Sequence, residues 1–229
     1  MFYPFFDSTM ILLIPAMLFS MWAQFKVKST YARYSNVTTK KGVTAEEVAR
    51  ALLNNFGLNS IRIERVGGQL TDHYDPSAKV LRLSDSVYGS SSIAAIGVAA
   101  HEVGHAIQDL QDYSFLRIRN SIVPIVNIAS TMSMPLFFIG LIFGYMNFLN
   151  IGIMLFCGVL VFHLVTLPVE FDASARAIKL LGNTGLLAQD EIGGARSVLS
   201  AAALTYVGAL IMTIMQLIRL LALRNMRRD

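Results

Sequence analysis

Residues 121–169 read SIVPIVNIASTMSMPLFFIGLIFGYMNFLNIGIMLFCGVLVFHLVTLPV, from Ser121 to Val169, without one Asp, Glu, Lys or Arg. Forty-nine residues are too many for one membrane span and suit a hairpin of two, at about 20 residues each. The stretch therefore predicts a two-span hairpin over 121–167. Its break is expected in GYMNFLN, Gly144–Asn150, which combines turn formers with aromatics suited to the membrane interface. STMSMP, Ser130–Pro135, reads as span filler with a proline kink.

The rest of the composition agrees. The 229 residues are 54% hydrophobic and only 15% charged, against about 25% charged in a soluble domain. A second uncharged run, TMILLIPAMLFSMWAQF from Thr9 to Phe25, has the length of a short span and reads as an uncleaved signal anchor. A third, Ser197–Ile218, completes about four transmembrane helices. Lys26, Lys28 and Arg33 follow the first run, and Arg219, Arg224, Arg227 and Arg228 follow the last. Basic residues beside spans account for the net charge of +4, so the charge does not call for nucleic acid as a partner. One cysteine, Cys157, cannot form an internal disulfide.

Between the first span and the hairpin, residues 26–119 read as a small α+β unit. TAEEVARALLNNFG carries a capping-box pair, Thr44 and Glu47, and ends at Gly57. SIRIERV (Ser60–Val66) and KVLRLS (Lys79–Ser84) alternate as strands. TDHYDPSA, Thr71–Ala78, between them is turn-rich. A long apolar helix is expected from near Ser91.

That helix carries AAHEVGHAIQ, Ala99–Gln108. His101 and His105 stand four apart, so they stack on one face about 6 Å apart along the axis. Two imidazoles so placed can reach one Zn²⁺ at about 2.0–2.1 Å. Glu102 is turned roughly 100° from His101, past the metal and toward a metal-bound water. A carboxylate there can take the proton of a water that zinc acidifies to a pKa of about 7. The residue types fit hydrolysis of a carbonyl compound by a zinc-activated water, with Glu102 as general base.

A catalytic zinc commonly has three protein ligands and an open fourth position. The hairpin crosses twice, so the chain beyond it returns to the side of His101. The first carboxylates there are Glu170 and Asp172, in TLPVEFDASARAIKLLG. Pro168 suits the first turn of a helix over 168–182, and Glu170 would then stand where a helix dipole favours an anion. Glu170 is the expected third ligand, with Asp172 as its competitor; His163 reads as a histidine of the second hairpin span. His73 and Tyr74 are candidates for substrate binding or oxyanion stabilisation, beside the blander reading of a turn built with Asp72 and Asp75.

HEVGH matches the HExxH signature of zincins. Together with LTDHYDP, LPVEFDASARA and AAALTYV it resembles the YugP-like neutral zinc metallopeptidases, bacterial membrane zincins, over almost the whole chain. The resemblance implies peptidase chemistry without naming a substrate. More distantly the chain is similar to HtpX-like and CAAX-prenyl membrane proteases, in which a downstream helix supplies a glutamate ligand and an aspartate four residues later. Glu170 matches that glutamate, but the later position is Ser174, so Ser174 and Asp172 are both candidates to support the zinc histidines.

The sequence thus predicts a mainly α membrane protein, one domain with a small zincin-like catalytic unit. Its function is a gluzincin-like endopeptidase that holds one catalytic Zn²⁺ on His101, His105 and Glu170. The partners are the lipid bilayer and a peptide or protein substrate near it. The alternatives are a membrane scaffold with a structural metal and a metal transporter. A structural zinc would need a fourth ligand, and an ion path would need more histidines in spans than His163. The basic residues after the first span place the protein in the cell membrane with the catalytic face in the cytoplasm. The basic residues after Ile218 oppose this if the last run also crosses.

Overall fold

The computed structural model describes residues 8–226. Arg227 and Arg228 of the basic tail lie outside the described residues. A 3₁₀ turn, Ser8–Leu13, leads into α1 (Ile14–Ser35), followed by α2 (Ala45–Asn55), β1 (Arg62–Val66), β2 (His73–Asp75), β3 (Val80–Ser84) and α3 (Ile93–Leu110). Three long helices complete the chain: α4 (Ser114–Phe143), α5 (Met146–Thr184) and α6 (Gln189–Met226). Four helical segments are long and apolar enough to cross a membrane: Ser8–Ser35, Ser114–Phe143, Met146–Thr184 and Gln189–Met226. The mainly α membrane architecture is the expected one.

The helices overrun the apolar boundaries from which the sequence was read. α1 continues ten residues past Phe25, because nothing between Lys26 and Ser35 is Gly or Pro. Residues 168–182 do not form a helix of their own. They are the C-terminal part of α5, and Pro168 lies inside it. Proline suits a first turn, but its cost here is one i→i−4 hydrogen bond. The flanking sequence from Val159 to Leu181 contains no glycine and carries the helix through. The described residues divide into two compact units: 8–24, Arg117–Pro168 and 205–226 in one, Phe25–Leu116 and Val169–Leu204 in the other.

In the first unit α4 and α5 turn back at Gly144, whose φ of 78° is the left-handed conformation that glycine adopts without strain. The break falls inside the predicted GYMNFLN. Phe137, Leu141, Leu149 and Ile153 pack with Leu220 and Leu223 as the core of this unit. Two glycines let α4 and α5 touch through backbone. A Cβ on Gly140 would collide with Leu149 N, and one on Gly152 would lie 2.7 Å from Phe137 N. Ile125, Ile128, Phe143 and Met154 point outward, each about two-thirds exposed, as lipid-facing side chains would.

The second unit holds the α+β part. Thr44 and Glu47 form the predicted capping box, so α2 begins where the sequence put it. Val48, Ala49, Leu52 and Leu53 on one face of α2 enter a core with Leu81, Leu83, Ile96 and Val103. The sheet order is β1-β3-β2. β1 pairs parallel with β3, Arg62 opposite Val80, and β2 pairs antiparallel with β3, His73 opposite Arg82. β2 stands where only a turn was expected. Three residues are too few for alternation to register as a strand. The turn chemistry is present as well: Asp75 Oδ1 accepts the Ser77 and Ala78 N–H groups at 3.0 Å.

α3 begins at the N-cap Ser92 and is buried along most of its length. Among its residues His105, Glu102 and Gln108 are polar and buried, which marks the helix as the place where the core contains chemistry.

The glycine contacts in the first unit are open to test. Gly152→Ala is expected to lower the unfolding free energy by about 1–3 kcal/mol, the cost of overpacking against backbone that cannot swing aside. Gly158→Ala on the same helix, where a Cβ meets nothing within 4 Å, should leave it unchanged or raise it slightly. Thermal unfolding of both variants in detergent micelles compares the two.

Candidate metal centre

α3 projects His101 and His105 from one face, their ring centroids 4.7 Å apart and their planes at 83°. α5 brings Glu170 to them. Its Oε2 lies 3.3 Å from His101 Nε2 and 3.7 Å from His105 Nε2. One ligand atom from each of the three residues falls within 4.8 Å of the others. Four ligands at about 2.0–2.1 Å around a tetrahedral zinc stand roughly 3.3–3.4 Å apart, so the spacing fits a single ion. Among the described residues no other group of His, Cys, Asp and Glu has this property. Asp172, the competitor for third ligand, is not in it.

The approach of α5 to α3 requires a missing side chain. Gly104, inside HEVGH, faces the α5 backbone so closely that a Cβ there would lie 2.6 Å from Ala173 O. Ala173 is three residues beyond Glu170, so this contact sets how near Glu170 comes to the histidines.

The histidine tautomers follow from their outer partners. Gln108 Nε2 donates to Val169 O and to Asp172 Oδ2, both at 2.8 Å. Its Oε1 is therefore the acceptor that faces His105 Nδ1 at 2.9 Å. His105 then carries a proton on Nδ1, so that in the neutral ring Nε2 is left with the lone pair a metal needs. Ser174 Oγ lies 3.1 Å from His101 Nδ1, within hydrogen-bond reach of that ring. Asp172 acts one step further out, between Gln108 and the Arg176 guanidinium at 2.5 Å. Of the two candidate supports, Ser174 touches a histidine and Asp172 does so only through Gln108. The sequence pointed to neither Gln108 nor Arg176. Gln108 stands three residues after His105 on the same helix face, the one signal that could have singled it out.

The charges at the centre favour a cation. Burial works against the imidazolium of His105, but hydrogen bonding to Glu170 and the negative charges of Glu102 and Glu170 outweigh it and raise its pKa. Glu102 is 8% exposed, and its Oε2 accepts the Tyr74 N–H of β2 at 3.0 Å. It stands beside the three-residue group without belonging to it.

The remaining candidates lie apart. The Tyr74 hydroxyl donates to Asp109 Oδ2 at 2.7 Å, where Lys79 also pairs, so it is turned to that ion pair and its backbone serves Glu102. His73 is exposed, with Nδ1 2.8 Å from Thr71 O and Nε2 3.2 Å from an Arg82 nitrogen. His163 packs its ring edge-on against Phe162 within α5 and is outside the group.

Residues 9–225 match the family described as "Putative neutral zinc metallopeptidase". The chain is 46% identical over 218 residues, 95% of its own length and 97% of the relative's, to "Putative membrane protease YugP" of Bacillus subtilis (strain 168). No solved structure matches it. The chain belongs to this zinc metallopeptidase family, and zinc is its metal cofactor.

The outer hydrogen bonds carry a measurable consequence. Gln108→Ala should weaken zinc binding by about 10–100-fold, the usual effect of removing a partner that orients a ligand histidine. Competition with a chromogenic chelator measures it. Thermal unfolding of the metal-free variant separates loss of orientation from loss of fold.

Proposed function

We propose that this member of the family is a membrane-embedded peptidase of the HExxH-plus-glutamate type, in which His101, His105 and Glu170 hold one zinc ion and Glu102 is the general base. The observation that carries the reading is the convergence of two Nε2 atoms and one carboxylate oxygen on a single point, with a second carboxylate beside it. Bound zinc supplies a Lewis acid that acidifies a water and polarises a peptide carbonyl. Glu102 Oε2 is held by the Tyr74 N–H, which leaves Oε1 to take the proton of the attacking water and deliver it to the leaving amine. Gln108 and Ser174 keep both imidazoles turned with Nε2 inward. β2 is an edge strand of the sheet and turns the Tyr74 N–H toward Glu102. An extended peptide laid along that edge would have its backbone beside the reacting groups. His73 and Tyr74 then contribute through the strand they belong to.

A scaffold with a structural metal fits less well. Structural zinc sites are closed by four protein ligands, whereas three residues meet among those described. A transporter fits less well again, because His163 stands outside the group.

Glu102→Gln should retain zinc and lose about 10²–10⁴ in turnover, read by metal content and peptide cleavage on the same preparation; full activity would remove Glu102 from its role. His101→Ala, His105→Ala and Glu170→Ala should each strip zinc, and Asp172→Ala should weaken it less. The reverse order for Glu170 and Asp172 would move the third ligand by two positions.

Sidedness belongs to the same proposal. Lys26, Lys28 and Arg33 after the first span argue for a multi-pass protein of the cell membrane with its catalytic face in the cytoplasm. A cysteine placed at Lys40 in a Cys157→Ala background should resist a membrane-impermeant thiol reagent on intact cells and react after lysis. Labelling without lysis would put the catalytic face outside.

A further inference from the structure

Three basic side chains from two helices converge on one cavity. Lys26 and Arg33 of α1 and Arg196 of α6 line a space of about 430 Å³, with the hydroxyls of Thr30, Ser197 and Ser200 among them. No carboxylate lines it. Several other cations of the same unit have acidic partners, among them Lys40 with Asp190 at 2.6 Å, Arg65 with Asp85 at 2.6 Å and Lys79 with Asp109 at 2.5 Å. The three around this cavity are exposed and are held by no ion pair among the described residues. Arg33 rests over the Tyr34 ring, 5.4 Å from its centroid, which leaves its N–H groups free of a carboxylate. Three like charges with hydroxyls among them around one space complement a multiply accepting anion such as a phosphate.

Two further observations distinguish a lipid from a free anion. Trp22 and Phe25 stand within about one turn of Lys26 on α1 and are 50% and 70% exposed, as aromatics at the membrane–water interface are. Arg196 also lines a neighbouring cavity of about 840 Å³, between α5 and α6, with Phe171, Ile178, Ile192 and Leu199 in its wall. The wall is mixed, with Ser174, Lys179 and Gln189 beside these apolar side chains, and a charged head next to its apolar part suits an amphiphile. We propose that Lys26, Arg33 and Arg196 bind the phosphate group of an anionic membrane lipid, at a site separate from the metal centre.

The full-length protein, purified in detergent, can be titrated with phosphatidylglycerol and with phosphatidylcholine of the same acyl chains, and the bound lipid counted by native mass spectrometry. Phosphatidylglycerol is expected to bind about tenfold or more tightly than phosphatidylcholine. Lys26→Gln, Arg33→Gln and Arg196→Gln should each weaken it by about fivefold. Lys28→Gln, on the same helix but not lining the cavity, should not, and Arg196→Lys should keep most of the binding. The preference in the unmodified protein should also fall as salt is raised, a readout that does not depend on any variant folding. Zinc content should be the same throughout, so the outcome is independent of the catalytic reading. Equal binding of the two lipids, or variants that match Lys28→Gln, would overturn the proposal. So would inorganic phosphate that binds with the same losses and displaces the lipid at similar concentration, since the site would then serve a free anion.

Discussion

A carboxylate that is 4% exposed cannot remain charged in a protein interior without positive charge or donors close by. Glu170 is that carboxylate, and the groups it faces set the geometry of the second unit. Two imidazole nitrogens meet one of its oxygens at 3.3 and 3.7 Å, and zinc is the cofactor of the family. The carboxylate lies on α5 and the histidines on α3, so the contact joins residues more than sixty positions apart in the chain. Gln108 reinforces the same seam. It donates to the Val169 carbonyl immediately before Glu170 and presents its oxygen to His105. The centre and the packing of α3 against α5 are therefore one structure, and a change that loosens either one is felt by the other.

The protein puts polar chemistry inside a helix that is otherwise core. Ile96, Ala99, Ala100 and Val103 of α3 are fully buried and pack with the sheet and α2, while His101, Glu102 and His105 turn toward α5 and β2. The apolar face fixes the helix in place. The polar face then needs little further ordering, because its rotamers are held by hydrogen bonds to Gln108, Ser174 and the backbone of Tyr74. Groups arranged in this way are positioned before a substrate arrives, which is where much of an enzyme's electrostatic advantage lies.

Local patterns in the sequence carried much of this. The charge-free run from Ser121, the capping box at Thr44 and the i, i+4 histidines each encode their structure within a few residues, and each stands where it was expected. Glu170 was expected near the histidines from the connectivity of a two-span hairpin, and its carboxylate lies beside them. The features that escaped notice depend on distant partners. β2 is three residues long and exists because β3 is there to pair with it. Gln108 matters through Val169 and Asp172, more than sixty positions away. Pro168 looked like a beginning because local preference says so, and the continuity of α5 overrode it.

Gly104 changes how the motif itself should be treated. The middle pair of HExxH is usually written as two wildcards, yet the second of them here has no room for even a methyl group, with Ala173 O 2.6 Å from where it would sit. A chain with this topology and alanine at that position would still satisfy the pattern, but the carboxylate at the position of Glu170 would be held away from the histidines. In this chain the motif is HExGH, and the same letters without the glycine would lack the helix contact that brings Glu170 to the histidines.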